Sequence, residues 1–290
     1  FTLRAAAGRV LERGVVETSA RELVALVRRL GPNLHLTFEE GTQAQWLHDL
    51  LAPHVARLVV CDPRANRDKL ANTSDRIDAD HLSELLRVGS LRSVFHGGAS
   101  TRPLKELVRA YEALVSDSIR VMLRVKAIYR GRGIATRGEG VYRPALRREW
   151  LERIRQPAAR CRAQIFFAQL DALSTLRRKA KAAMLAEARK HPPFHLLQSF
   201  PCVGPIRAAE IVAVIASPFR FRTRRNLWPY AGLAVVHQSS ADHEIASGRI
   251  RRRTREPLPR GLNRNYNRML KKIFKAIAVD LAHGTTPFGE

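Results

Sequence analysis

Two carboxylates, Asp75 and Asp78, are spaced so that together they could hold a metal ion. Ser74 before them is a typical helix N-cap residue, and apolar residues follow at helical spacing, which predicts a helix that begins at residue 75. Positions i and i+3 leave the same face of a helix, so both carboxylates would share its first turn. Hard divalent cations bind such oxygens. Taken alone, the motif is explained more simply as an acidic first turn that favours the helix dipole.

Further acids follow two predicted strands that precede this helix. Residues 34–39 alternate between polar and apolar, and residues 57–61 form a continuous apolar run, as strands buried on both faces do. Helical stretches separate the strands, which predicts an α/β sheet for this part of the chain. Glu39 and Glu40 end the first strand and Asp62 follows the second. If the strands are neighbours, these acids meet at one edge of the sheet.

Two long basic helices are predicted after the sheet. Residues 104–128 and 149–189 carry apolar residues at helical spacing, interleaved with Arg and Lys, and Pro157 interrupts the second stretch early. The Gly/Arg-rich connection at residues 130–133 predicts a helical hairpin or coiled-coil arm. A charged stalk whose arginines are only solvated is the simpler interpretation for many of these side chains.

The net charge limits the classes of molecule that the chain is expected to bind. Its 290 residues carry 51 Lys+Arg against 26 Asp+Glu, a net charge of +25, which favours nucleic acid as the partner. An anionic membrane is the second candidate, but the sequence has no long apolar span or lipid-anchor motif. The three cysteines lie far apart, which argues against a zinc site or a disulfide framework and is compatible with a reducing cytosol.

Most of the predicted nucleic-acid contacts lie in the C-terminal third. Residues 196–209 resemble a helix-hairpin-helix with one of its two usual glycines, whose turn exposes backbone N–H groups to a phosphate. Residues 249–275 contain eleven Lys and Arg against one acid, Glu256, a bias that a phosphate backbone explains. The three tryptophans, Trp46, Trp150 and Trp228, are interpreted as core residues. The candidate contacts are Gly204, Arg207, Arg224, Arg225, Arg251, Arg252, Arg253, Arg264, Lys271 and Lys272.

The order of these motifs resembles the transposases of the insertion-sequence-110 family. A strand-end Glu, an Asp-x-x-Asp helix start, a helical insertion and a Pro-x-x-Gly-Pro hairpin are followed by Tyr-Ala-Gly-Leu at residues 230–233 and then by a Ser-Ser pair. The resemblance covers nearly the whole chain. It implies a RuvC-like, RNase H-like α/β domain, a helical coiled-coil arm and a mostly helical transposase domain, at residues 1–98, 99–192 and 193–290.

The resemblance also assigns the catalytic carboxylates. It implies that Glu39, with Glu40 as the neighbouring option, and Asp75 and Asp78 are three members of an Asp-Glu-Asp-Asp tetrad that holds Mg²⁺. The first Asp of the tetrad lies on the opening strand of such a domain, and that strand would precede Phe1. We therefore expect the chain to be a fragment cut at both ends, and expect catalysis by the fragment itself to be impaired.

The nucleophile implied by the resemblance is a serine in the C-terminal domain. The family spacing after Tyr-Ala-Gly-Leu selects Ser240, with Ser239 as the alternative. Family members usually have Gly after this serine, whereas this chain has Ala241, so the choice between the two serines stays open. His237 and His243 are near enough in sequence to be weak candidates for a general base.

The function implied is DNA recombination for excision and insertion of a mobile element, directed by a structured bridge RNA. The partners would be DNA, that guide RNA and further copies of the chain, as a dimer or tetramer. We expect the protein in the cytoplasm of a bacterium or archaeon, associated with the nucleoid and not with a membrane. One alternative is a Holliday-junction-type nuclease that uses the same metal site and a water nucleophile. Another is a decayed, non-catalytic nucleic-acid-binding protein.

Overall fold

The computed structural model describes residues 1–63, 65–66, 74–96, 99–237, 243–246, 249–252 and 259–283. The chain forms two compact units, unit 1 at residues 1–96 and unit 2 at residues 97–290. None of the helices within the described ranges is both long and apolar enough to cross a membrane.

The described part of unit 1 contains two pairs of strands and three α-helices, which include the predicted strands at residues 34–39 and 57–61 and the predicted helix at Asp75. An antiparallel hairpin pairs β1 with β2, and β3 pairs with β4 in parallel. Within the described part of this unit the two pairs form separate sheets, so the RNase H-like sheet order stays a prediction. The elements are β1 Thr2–Arg4, β2 Val10–Arg13, α1 Ala20–Leu30, β3 His35–Glu39, α2 Ala44–Leu51, β4 Arg57–Cys61 and α3 Asp75–Arg87.

Serine caps fix the starts of two helices in unit 1. The Ser19 hydroxyl accepts a hydrogen bond from the Glu22 N–H at the start of α1, and Ser74 accepts one from the Ile77 N–H at the start of α3. Such caps satisfy backbone donors that have no partner inside the helix. The predicted start of the helix at Asp75 is therefore confirmed, with its physical cause.

Two long helices dominate unit 2 and form an antiparallel hairpin. The start of α4 shares an apolar cluster with the end of α6, and the end of α4 shares another with the start of α6. At 1.5 Å per residue the helices are about 44 and 48 Å long. Pro157 is the first residue of α6, where its missing N–H costs nothing, so the predicted interruption is confirmed. The elements are α4 Arg102–Arg130, α5 Arg147–Glu152 and α6 Pro157–Ala188.

The rest of unit 2 packs short helices against the base of this hairpin. Its main core joins Leu104 on α4 and Met184 on α6 to Ala209 on α8 and Leu270 on α10. Apolar residues from both sides of residue 192, the predicted domain boundary, thus share one core, because the apolar helix α8 buries itself against the arm. The elements are α7 Pro192–Gln198, α8 Pro205–Ile215, α9 Leu227–Tyr230, β5 Val235–His237, β6 His243–Ala246, β7 Arg249–Arg252, β8 Pro259–Leu262 and α10 Arg268–His283.

Candidate functional site

The carboxyl edge of the parallel strand pair holds the first predicted acids. Strands β3 and β4 are neighbours, with Glu39 opposite Cys61 in the register. Burial raises the pKa of the Cys61 thiol, and the negative charges of Glu39 and Asp62 raise it further. Because β3 and β4 are parallel neighbours, Glu39 and Asp62, which follows Cys61, lie at the same end of the strand pair. Glu39 itself is exposed to solvent.

Glu40 is held by a histidine pair that the sequence does not indicate. The Nε2 atom of His96 lies 2.7 Å from a Glu40 carboxylate oxygen. The His96 ring stacks on His48 with 5.1 Å between ring centroids and 5° between planes. Glu39 has no ion-pair partner among the described residues. Of the two neighbouring glutamates, Glu39 is thus the one free to take a ligand.

Asp75 and Asp78 lie where the sequence predicts, exposed on the first turn of α3. The next acid on this helix, Asp80, instead holds the fold together, since its carboxylate accepts hydrogen bonds from Thr2 and Arg13. Across the described residues, no group of three or more His, Cys, Asp or Glu side chains is arranged to hold a metal ion. The Mg²⁺ site of Glu39, Asp75 and Asp78 therefore stays a prediction.

The predicted nucleophile Ser240 and its alternative Ser239 lie outside the described residues. Just before them, Gly232 has φ +70°, and a Cβ added to it would lie 2.5 Å from Cγ of Tyr266. Both the left-handed backbone and the close approach require glycine at this turn. The turn leads into β5, which pairs antiparallel with β8. The segment that leads to the two serines is therefore a glycine turn followed by a paired strand as far as residue 237.

The helix-hairpin-helix predicted at residues 196–209 joins α7 to α8 through an exposed loop. Gly204 is the N-cap of α8, and no side chain caps the first turn of this helix. Cys202 has φ +61°, a left-handed conformation that costs a non-glycine residue about 1–2 kcal/mol. Cys202 thus keeps a glycine-like backbone two residues before Gly204, in a motif that usually carries two glycines. The aromatic side chain of Phe200 in the same loop is 56% exposed.

Two of the predicted nucleic-acid contacts are used inside the protein. The Arg207 guanidinium donates to the Cys202 carbonyl oxygen at 2.7 Å and to the Asp280 carboxylate at 2.6 Å, which ties the hairpin to α10. The Lys272 ammonium donates to Glu112 at 2.7 Å. A phosphate would have to compete with these acids, so Arg207 and Lys272 are weaker candidates than their sequence positions indicate.

The other predicted contacts divide by what the structure describes of them. Arg224, Arg225 and Arg264 are exposed and make no described ion pair, so they are available to a phosphate. Lys271 places its ammonium 4.2 Å from the centre of the Tyr266 ring. The structure describes only the strand position of Arg251 and Arg252 in β7, and Arg253 lies outside the described residues.

Exposed aromatic residues flank the basic loop, which is the arginine-rich stretch at residues 220–225. Two of the three tryptophans are exposed, which corrects their interpretation as core residues. Trp150 is a core residue as predicted, but Trp46 is 41% exposed and Trp228 is 55% exposed. Trp228 follows Arg224 and Arg225 closely in the chain, and Phe219, which is 92% exposed, precedes them. Aromatic rings interleaved with arginines are suited to stack on unpaired bases. Apolar character alone did not distinguish these residues from core residues.

A buried acid in unit 2 was missed from the sequence. Glu210 is 4% exposed, and burial together with a hydrogen bond to Glu112 raises its pKa to about 8. Glu112 also accepts from Lys272, and the raised pKa of Glu210 makes its protonated carboxyl the donor in the hydrogen bond to Glu112. Glu210 is the one charged residue in the otherwise apolar run Ala208–Ala216, and this isolation was the available signal.

The comparisons with known proteins match one part of the chain. A family model described as "Transposase IS116/IS110/IS902 family" matches residues 194–265. The matched segment contains the loop of the helix-hairpin-helix at Gly204, the basic loop, the turn at Gly232 and both candidate serines. This match supports a relationship to IS110-family transposases, and with it an interaction with DNA. No curated protein matches the chain.

Proposed function

We propose that this protein is a DNA transposase that cuts and rejoins DNA strands through a serine nucleophile. The observation that carries the proposal is the family match over residues 194–265, since this segment of the sequence contains Ser240, the basic loop and the start of α8. The exposed arginines of the basic loop and the uncapped start of α8 supply phosphate contacts on the same segment.

The proposed chemistry is a phosphoryl transfer to serine. The Ser240 hydroxyl loses its proton and its oxygen attacks a DNA phosphorus, forming a serine–phosphate ester. The bond from phosphorus to one DNA oxygen breaks, and that oxygen leaves as a hydroxyl after it takes up a proton. The ester conserves the energy of the phosphodiester bond, so a hydroxyl from another strand can reverse the step and rejoin the DNA.

Mg²⁺ is proposed as the ion that Glu39, Asp75 and Asp78 hold. When bound, such an ion would stabilise the charge that develops on the phosphate in the transition state. The described residues do not gather these three acids into a metal-binding group. Glu39 is preferred to Glu40 because His96 already holds Glu40.

A structured guide RNA and self-association complete the proposal. The net charge of +25 suits RNA as well as DNA, and the resemblance to bridge-RNA-guided recombinases favours RNA that pairs with both target and donor DNA. The predicted serine belongs to unit 2 and the predicted carboxylates to unit 1. A dimer or tetramer would allow one copy to supply the serine and another the acids.

Replacement of each serine tests the nucleophile. The full gene product is incubated with Mg²⁺, RNA from its own locus and duplex DNA that carries the sequence flanking the gene, and covalent protein–DNA adducts are separated on a denaturing gel. We expect Ser240→Ala to abolish the adduct and to leave DNA binding intact, because the phosphate contacts reside elsewhere. Ser239→Ala is the matched control and should retain most of the adduct.

The other outcomes separate the competing functions. An adduct that survives Ser240→Ala and disappears in Ser239→Ala would move the nucleophile by one residue. Strand cleavage without an adduct, unaffected by either serine, would favour the nuclease that uses water. Binding without cleavage would favour the non-catalytic protein. Asp78→Asn should also prevent the adduct if the acids serve the reaction.

A further inference from the structure

A basic groove lies along the helical hairpin, and its lining contains none of the residues assigned a function above. The groove has a volume of about 350 Å³ and runs between α4 and α6. Its lining residues are Tyr111 and Val115 on α4 and Arg177, Arg178 and Lys181 on α6. The three cations are exposed, whereas Tyr111 is 9% exposed and forms the floor with Val115.

The cations of this groove have no acidic partner among the described residues. Arg178 makes one long contact, 3.5 Å from its guanidinium to the Thr175 hydroxyl. Lys181 lies four residues after Arg177 and three after Arg178, so the three charges share one face of α6. Like charges at these spacings destabilise a helix by a few tenths of a kcal/mol each. The fold itself therefore gains nothing from this arrangement, which an external anion would relieve.

The acids nearest to the groove are already paired with other cations. No acidic residue lies between Asp171 and Glu187 on α6. Asp171 binds Arg147, and Glu187 binds Lys190. On the opposite helix, Glu112 binds Lys272 and Asp117 binds Arg120. The groove thus presents a local positive charge that the described part of unit 2 leaves without compensation.

Some arginines elsewhere on the arm are paired with acids. Arg109 binds Glu106, Arg120 binds Asp117 and Arg148 lies 3.6 Å from Glu152. These pairs show that the sequence can neutralise an arginine on these helices with an acid three or four residues away. The groove combines cations that have no described acidic partner with an opening, an apolar floor and a phenol.

We propose that the groove of Tyr111, Val115, Arg177, Arg178 and Lys181 binds the phosphate backbone of duplex DNA. The guanidinium and ammonium groups would each contact a phosphate, and the apolar floor would pack against the sugars. The choice of DNA as the polyanion rests on the proposed transposase function; the binding of phosphates rests on the groove itself. The helical hairpin thereby becomes a second DNA-contacting surface, beyond the segment that the family model matches.

Salt-dependent binding with matched variants tests the groove. The full chain binds a fluorescently labelled duplex DNA of random sequence, and the observed affinity is measured against salt concentration. The groove variant carries Arg177→Gln, Arg178→Gln and Lys181→Gln. The control carries Arg109→Gln, Arg120→Gln and Arg148→Gln, which changes the net charge by the same amount on paired cations. Thermal unfolding of both variants verifies that the fold is unchanged.

We expect the groove variant to reduce the salt slope of log K by about 2–3, since each phosphate contact contributes about 0.9. Affinity at about 0.1 M salt should fall on the order of 10²-fold, and the control should change both far less. Equal losses in the two variants would overturn the proposal, because net charge alone would explain them. A loss confined to an RNA duplex of the same sequence would overturn DNA as the occupant. The measurement needs no cleavage, so its failure leaves the Ser240 proposal untouched.

Discussion

The two units of the chain differ sharply in charge. Unit 1 carries 13 Lys+Arg against 12 Asp+Glu, a net charge of +1, whereas unit 2 carries 38 against 14, a net charge of +24. In unit 1 arginines close the fold, as Arg13 does with Asp80 and Arg29 with Glu12. In unit 2 acids are too few to neutralise the cations. The excess of positive charge in unit 2 is therefore explained by the expected anionic partner and not by ion pairs within the fold.

This difference assigns separate tasks to the two units. Unit 1 presents exposed carboxylates, Glu39, Asp75 and Asp78, which could take a cation. Unit 2 presents cations that could take a polyanion, and it contains the segment matched by the transposase family. Removing charge from one unit at a time tests this division of tasks.

The largest effect is expected from neutralising the basic run in unit 2. Arg251→Gln, Arg252→Gln and Arg253→Gln together should weaken binding of duplex DNA on the order of 10²-fold at about 0.1 M salt and flatten the salt slope by about 2–3. The physical reason is that each lost cation no longer displaces counterions from the DNA. Fluorescence anisotropy across a salt series measures both quantities.

The matched control for this variant lies in unit 1. Arg9, Arg28 and Arg76 are exposed and make no described ion pair, and replacing all three by Gln removes the same net charge. Little change in affinity is expected, because the cations left in excess over acids belong to unit 2. If both triple variants lower affinity equally, the assignment of DNA binding to unit 2 is wrong.

A smaller effect, of opposite sign in the two units, is expected from pH. The pKa of Glu210 in unit 2 is raised by burial from 4.5 to about 8. Its contribution to stability is fully present below pH 4.5 and is lost as pH rises through about 8, on the order of a few kcal/mol. Hydrogen exchange of peptides from α8 should show this loss. Glu210→Gln keeps a hydrogen-bond donor to Glu112 and should abolish this pH-dependent loss of protection. Glu106→Gln, which changes an exposed ion pair, should leave the loss in place.

Unit 1 should respond to pH in the other direction. Hydrogen bonds from Arg13 and Thr2 lower the pKa of Asp80 from 3.8 to about 2. Its contribution to stability is present above pH 3.8 and is lost as pH falls through about 2. Exchange of peptides from β1 and α3 should therefore increase in acid and become less sensitive to pH in Asp80→Asn. If hydrogen exchange changes with pH in the same direction in peptides of both units, the predicted difference between the units is wrong.

Local structure could be read from the sequence in unit 1 because short-range chemistry determines it. Ser19 and Ser74 accept hydrogen bonds from residues three positions later, so their caps are visible in a few letters of sequence. The parallel strands and the start of the Asp75 helix were predictable for the same reason. Neither the serine pair nor the metal site could be assigned from such patterns without the resemblance to a family.

The partners of charged residues in unit 2 could not be predicted, because tertiary packing selects them. Arg207 donates to Asp280, which is 73 residues away in the sequence, and Lys272 donates to Glu112, which is 160 residues away. Glu210 meets Glu112 only because α8 packs against α4. Sequence composition therefore indicated a basic surface correctly, but it could not separate cations that hold the fold from those left to bind a phosphate.

Crosslinking of the full chain to duplex DNA tests the assignment of DNA binding to unit 2 most directly. Photoreactive bases are placed along a labelled duplex, and the crosslinked peptides are identified by mass spectrometry after irradiation at moderate salt. We predict crosslinks in residues 97–290, concentrated in peptides that contain the hairpin at Gly204, the loop at Arg224 and Arg225, and the groove at Arg177. Crosslinks that fall mainly in residues 1–96 would contradict the account.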